Sequence, residues 1–266
     1  KRVLMPLIER SIQELMGRYG ISREEADLLH DQLWMHAHGI ASMVSTDFCD
    51  WNMEKVHRML AGTQWRFGEY DAAVGHLRRA VRLSKEDDSE AGRLSLARSL
   101  HRLGITLRKQ GDRTGAEEEL CQALELCREV SDPVGEAAAL NALGALHHDR
   151  GEYAQALRRC ADALGVVERT VERSGLADVL FTLAKVHLAR AERDEAISRY
   201  RQACDIYREQ ENWPNEDKTR MLFADVLVSA GETDTAVREL ERVIVLRELM
   251  GGEGVREVRE LLEGLR

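Results

Sequence analysis

The stretch Gly151-Glu152-Tyr153-Ala154-Gln155-Ala156 decides the fold, because it is one of five copies. Gly68-Glu69-Tyr70-Asp71-Ala72-Ala73, Gly111-Asp112-Arg113-Thr114-Gly115-Ala116, Ala191-Glu192-Arg193-Asp194-Glu195-Ala196 and Gly231-Glu232-Thr233-Asp234-Thr235-Ala236 are the others. Their first residues lie 43, 40, 40 and 40 positions apart. Seven residues past each anchoring alanine stands another small or slender residue: Ala80, Ala123, Ala163, Ala203 and Val243. Seven before each turn residue stands Ala61, Gly104, Gly144, Ala184 or Ala224. Small side chains at such spacings mark where two helices approach closely, and a turn residue suited to positive φ ends one helix just before the next begins. The unit is therefore a helical hairpin. Asp132-Pro133 reads as an N-cap followed by proline at the first helical position, and Pro214 opens a later helix, so both mark boundaries between hairpins. Stripes such as Leu120, Leu124 and Leu126, or Ala236, Leu240 and Ile244, are too apolar for one hairpin to bury alone, and stacking the hairpins buries them.

Composition agrees with an all-α chain. Of 266 residues, 44% are hydrophobic, 32% charged and only 5% aromatic, with three prolines, a balance typical of long helices and unlike that of sandwiches or barrels. The net charge of -9 argues against a surface that wraps nucleic acid phosphates, so no direct nucleic acid contact is expected. No window approaches the ~20 apolar residues of a membrane span, and Lys1 to Pro6 lacks the apolar run of a signal peptide. A cytoplasmic protein with no membrane contact is expected. The five cysteines form no Cys-x-x-Cys pair, so neither a disulfide framework nor a zinc site is indicated.

The recurring residues resemble the tetratricopeptide repeat (TPR): Leu-Gly within the first helix (Leu103-Gly104, Leu143-Gly144), Gly-x-Tyr at the turn and two alanines in the second helix. The resemblance covers about residues 54 to 250 and implies a superhelix of about five hairpins, closed by a charged capping helix over Glu253 to Arg266. The period of 40 departs from the usual ~34 of this repeat, and Arg113, Arg193 and Thr233 replace the turn tyrosine. With these longer helices, the array resembles those of bacterial peptide sensors and of large actinobacterial transcription regulators.

Composition shifts near residue 62, which divides the chain into an N-terminal section, 1-62, and a repeat domain, 63-266. Six of the eight methionines (Met5, Met16, Met35, Met43, Met53, Met59) precede the shift. Three helices are predicted there, over 2 to 18, 22 to 45 and 52 to 66, the second capped by Ser22 with Glu25 three residues on. The run Leu33-Trp34-Met35-His36-Ala37-His38-Gly39-Ile40-Ala41-Ser42-Met43-Val44, with Asp47-Phe48 after it, resembles the C-terminal helices of TetR-family repressors. In that family these helices form a dimer bundle beside a small-molecule pocket. The resemblance implies dimer or ligand contacts at Trp34, His38, Gly39, Ile40, Ser42 and Met43, and a homodimer through the N-terminal helices. The alternative is a monomer in which these helices cap the array.

No nucleotide, nucleophile-elbow or dinucleotide motif is present, and the glycines recur at hairpin turns. His36 and His38 diverge by about 200° on a helix, so they cannot share an ion. His147-His148 with Cys160 is the other cluster of metal-like composition. No enzyme, metal or cofactor is expected. Recognition falls instead to the first helix of each hairpin, which lines the concave groove in TPR proteins. Carried over by register, the groove positions are Arg98, His101, Arg102, Ile105 and Arg108; Asn141, Ala145 and His148; Asp178, Phe181 and Lys185; and Met221 and Asp225. Arg98, Arg102 and Lys109, with Asn141 and Lys185, suit a peptide carboxylate or an acidic side chain. The function expected is that of a protein- or peptide-binding sensor or scaffold module of a bacterial transcription regulator. The alternative is a small-molecule-responsive TetR-like dimer in which the repeats serve assembly.

Overall fold

The computed structural model describes residues 53-66, 68-170 and 175-266. Backbone contacts divide the chain into Lys1–Leu60 and Ala61–Arg266. Eleven α-helices occur among the described residues: α1 (Met53–Arg66), α2 (Tyr70–Ser84), α3 (Glu90–Gln110), α4 (Arg113–Glu129), α5 (Pro133–Asp149), α6 (Tyr153–Val167), α7 (Leu176–Ala189), α8 (Arg193–Glu209), α9 (Trp213–Ala230), α10 (Thr233–Leu249) and α11 (Val255–Leu265). None is long and apolar enough to cross a membrane.

Each hairpin turns where the sequence repeats. Gly68, Gly111, Gly151, Ala191 and Gly231 all have positive φ, between 62° and 95°. At every one, the amide of the following residue donates to the carbonyl five positions back: Glu69 to Gln64, Asp112 to Leu107, Glu152 to His147, Glu192 to His187 and Glu232 to Leu227, at 2.9 to 3.0 Å. This left-handed closure satisfies carbonyls that a helix end leaves open. The same device separates hairpins at Ser131 (φ 54°) and Glu211 (φ 53°). Asp132 then caps α5 by accepting from the Gly135 amide at 3.1 Å, with Pro133 in the first turn. His147 and His187, 40 residues apart, each place Nδ1 within 2.6 or 2.7 Å of the glutamate after the turn.

Ala191 is the one turn residue of the five with a side chain to accommodate at positive φ. A left-handed residue with a Cβ carries a penalty of about 1 to 2 kcal/mol, part of which glycine's greater freedom in the unfolded chain offsets. Ala191→Gly is thus expected to stabilise the fold by about 0.5 to 1 kcal/mol. A lowered denaturation midpoint would refute this account of the turn.

The small residues lie at the helix crossings. Ala73, Ala116, Ala156, Ala196 and Ala236 are completely buried, as are Ala80, Ala123, Ala163, Ala203 and Val243 one face along. A Cβ on Gly104 would stand 2.6 Å from Leu120 Cγ, and one on Gly144 would stand 2.6 Å from Cys160 Sγ. Only glycine lets α3 lie so close to α4, and α5 to α6. From α2 onward consecutive helices pack on one another, and the first helices of successive hairpins also touch, α3 against α5 and α5 against α7. One apolar core runs from Ala61 to Leu183, and another from Ala184 to Leu262. At the far end α11 lays Val258 and Leu262 into the second core and covers α10.

Candidate functional site

A cavity of about 520 Å³ opens along the first helices of the hairpins in the Ala61–Arg266 unit. Because α3, α5, α7 and α9 keep one register, residues 40 apart enter it at equal heights. Helix α3 supplies His101, Ile105, Arg108 and Lys109; α5 supplies Asn141, Ala145 and His148; α7 supplies Asp178, Phe181 and Lys185; and α9 supplies Asn215, Lys218 and Leu222. Trp65, at the end of α1, closes one side. Nine of the thirteen sequence-derived groove positions (His101, Ile105, Arg108, Asn141, Ala145, His148, Asp178, Phe181 and Lys185) thus come together.

Arg98 and Arg102 do not line the cavity. Both are exposed on α3. The Arg102 guanidinium reaches back beside Gly62, where a Cβ would lie 3.5 Å from it. Met221 and Asp225 are likewise outside the lining, and α9 contributes Lys218 instead. Lys218 stands 40 residues after Asp178, so the repeat register already marked its position. Trp34, His38, Gly39, Ile40, Ser42 and Met43, with the dimer expected from them, lie outside the described residues.

The cavity is electropositive although the chain is acidic. Arg108 Nε lies 3.8 Å from Asp149 Oδ2, too far for a hydrogen bond, and has no hydrogen-bond partner. Burial lowers the Arg108 pKa, against the pull of Asp149. Lys185 is lowered by burial too, with Arg108, Lys109 and Lys218 pushing the same way and Asp149 opposing. For Lys218, burial is again the first cause, Lys109 and Arg108 add to it, and Asp178 opposes. The Lys218 ammonium sits 5.1 Å above the Phe181 ring, a cation–π contact that holds it over the cavity floor.

The anionic side is thinner. Burial tends to raise Asp149, but the hydrogen bond from His148 and the charges of Arg108 and Lys185 outweigh it, leaving its pKa below the usual range. Asp178 is open to solvent within the cavity yet crowded by protein, which raises its pKa against a hydrogen bond from the Tyr207 hydroxyl and the charge of Lys218. His101 is pushed down to about 4, mainly by burial and despite a hydrogen bond to the Ala138 backbone, and is neutral near pH 7. The Asn141 Oδ1 atom is buried without a partner. Such an atom invites a donor from a ligand.

The buried thiols offer no nucleophile. Burial raises Cys160 and Cys204 to about 12 and Cys127 to about 11, so all three are thiols at neutral pH. His147 is engaged by Glu152 and His148 by Asp149. Among the described residues no group of three or more His, Cys, Asp or Glu could hold a metal ion.

No curated protein is similar in sequence to the chain. Among solved structures, a Rap protein complexed with Competence and Sporulation Factor superposes with a TM-score of 0.67 at 15% identity, over 91% of this chain and 74% of that one. BtubC (BKLC) from P. vanneervenii gives 0.58 at 19% identity over 92% of both chains. Aspartyl phosphate phosphatase F from Bacillus subtilis gives 0.57 at 14% identity, over 97% of this chain and 68% of that one. At these identities the likeness is one of fold. The family model described as tetratricopeptide repeat matches residues 52–129 and 135–209, more than half of the sequence. With five turns in one register and a family match of that extent, the chain belongs to the tetratricopeptide repeat family.

Proposed function

We propose that the chain is a protein- or peptide-binding TPR module, a sensor or scaffold part of a bacterial transcription regulator, which acts by binding and not by catalysis. The cavity between the first helices carries this reading: four cations converge there from α3, α7 and α9 beside the unpartnered Oδ1 of Asn141. The ligand this chemistry favours is an acidic segment of a peptide or protein, held by charge-assisted hydrogen bonds. The Rap structure, solved with a bound factor, is a precedent on a similar fold. The family match begins at residue 52 and lends nothing to a TetR-like role for residues 1-62, so the proposal stands on the repeats alone.

Charge reversal is the test. The cavity moves it from Arg98 and Arg102 to Lys185 and Lys218. A Lys185→Glu/Lys218→Glu double variant, used as bait in the source cell's extract, should lose an acidic partner that wild type retains. The expected weakening is at least about 100-fold, since each charged hydrogen bond contributes about 1.5 to 3 kcal/mol. The exposed Arg98→Glu/Arg102→Glu variant should keep the partner. Equal retention by wild type and the lysine variant would refute recognition in this cavity.

A further inference from the structure

Resting on the groove reading above, the balance of charge in the cavity narrows the ligand further. Arg108, Lys109, Lys185 and Lys218 are four cations, and the carboxylates facing them are Asp149 and Asp178, which leaves two positive charges without a counterpart. Among the described residues neither Lys185 nor Lys218 is in an ion pair, and Arg108 Nε has no hydrogen-bond partner. A single carboxylate would neutralise only half of that excess. A phosphate monoester carries about -1.5 to -2 near neutral pH and presents three acceptor oxygens. It matches the excess charge and offers an acceptor oxygen to each of Arg108, Lys185 and Lys218. Asn141 supplies the second constraint: its buried Oδ1 has no partner and asks for a donor, which the dianion of a phosphate monoester lacks and the N–H of a neighbouring peptide unit supplies. A peptide unit also offers an acceptor, so either orientation of the amide is met.

We infer that the cavity recognises a phosphorylated side chain within an extended peptide, with the phosphate among Arg108, Lys109, Lys185 and Lys218 and the neighbouring peptide bond on Asn141. The geometry orders the contacts. The cations enter from α3, α7 and α9, while Asn141 stands on α5 between α3 and α7, so main chain and phosphate are gripped side by side. Phe181 holds the Lys218 ammonium 5.1 Å from its ring centroid by a cation–π contact, which needs none of its hydrogen-bond donors.

Three pooled libraries of seven-residue peptides, with phosphoserine, glutamate or serine at the centre and the other positions randomised, are passed over the immobilised full chain. Retained peptides are measured by mass spectrometry. Phosphoserine should be retained about tenfold over serine, and severalfold over glutamate, because a dianion makes more charge-assisted bonds than a carboxylate. Lys185→Gln/Lys218→Gln should reduce phosphoserine to the glutamate level, and Asn141→Leu should weaken all retained peptides, while Arg98→Gln/Arg102→Gln changes nothing. Circular dichroism melting confirms that each variant is folded. If the lysine double variant fails to fold, the exposed Lys109→Gln replaces it. Glutamate held as tightly as phosphoserine overturns the phosphate inference and leaves the acidic-peptide groove standing. Equal retention of all three libraries, or of none, overturns both. Competition by inorganic phosphate that is as strong as by the phosphopeptides, with no effect of Asn141→Leu, overturns the peptide half of the inference.

Discussion

Glu216→Ala should cost about 3 to 5 kcal/mol. Glu216 has no solvent exposure. It accepts from Arg220 Nε at 2.9 Å and from Arg242 Nε and Nη2 at 3.0 and 3.2 Å. Arg220 continues to Glu239, so α9 and α10 are joined by a chain of four charges. Removing the one carboxylate that faces both arginines leaves the buried Arg220 with Glu239 alone and takes Arg242's partner away, and desolvation makes that incomplete pairing costly. The exposed pair Arg256–Glu260, at 2.9 Å with the arginine side chain 89% exposed, is the control, and Arg256→Ala should change stability by less than about 1 kcal/mol. Urea titration of both variants decides it, and equal midpoints would sink the account. The same network sets a pH dependence. Burial tends to raise the Glu216 pKa, but hydrogen bonds from Arg242 and Arg220 reverse this and hold it below the ordinary value. A depressed folded-state pKa means stability that is present at neutral pH and lost as pH falls through the acid range, so wild type should lose stability there and Glu216→Ala should not show that share of the loss.

Gly144→Leu is the second large effect, about 1 to 3 kcal/mol of overpacking. Its Cβ alone would lie 2.6 Å from Cys160 Sγ and 3.4 Å from the Ala156 carbonyl oxygen, so helix α5 would have to move off α6. Gly165, also helical, has nothing within 4 Å of the corresponding position. Gly165→Ala should therefore stabilise by up to about 1 kcal/mol, through helix propensity alone. Opposite signs for the two glycines are the expected result. Destabilisation at both, or neither, would mean that α5 and α6 do not approach as closely as Gly144 and Cys160 indicate.

The hairpins were legible in the sequence because their requirements are local and discrete. A left-handed turn wants glycine, a close crossing wants glycine or alanine, and both recur in phase at Gly104, Gly111, Gly144 and Gly151. The groove was legible by register only in part. Position along a helix said that His101, Asn141, Phe181 and Lys185 share one face, and the cavity brings them together. Which basic side chains enter it was not legible, since a long arginine on the edge of a face can turn either way: Arg102 turns towards Gly62, and Arg98 stays exposed. The four-charge network hid for another reason. Glu216 and Arg220 show the spacing of an ordinary solvated helix pair, and what sets them apart is Arg242, 26 residues beyond Glu216, which donates to the same carboxylate. Nothing near either residue in the sequence announces that partner.

The dispersal of the cavity's cations over separate hairpins has a consequence for when the site exists at all. Arg108 and Lys185 belong to the second and fourth hairpins, but Lys218 stands on α9, two residues from the Glu216 that clasps α9 to α10. In a stack of nearest-neighbour units, an end hairpin can open while the rest stays folded. Opening the fifth hairpin would carry Lys218 away and leave three of the four cations. Occupancy and closure are therefore linked: a ligand that spans α3 to α9 selects the fully zipped array and lowers the population of the frayed one in proportion to its own saturation. On the proposed reading, the fifth hairpin would then serve as a latch, each opening of which offers the ligand a way out.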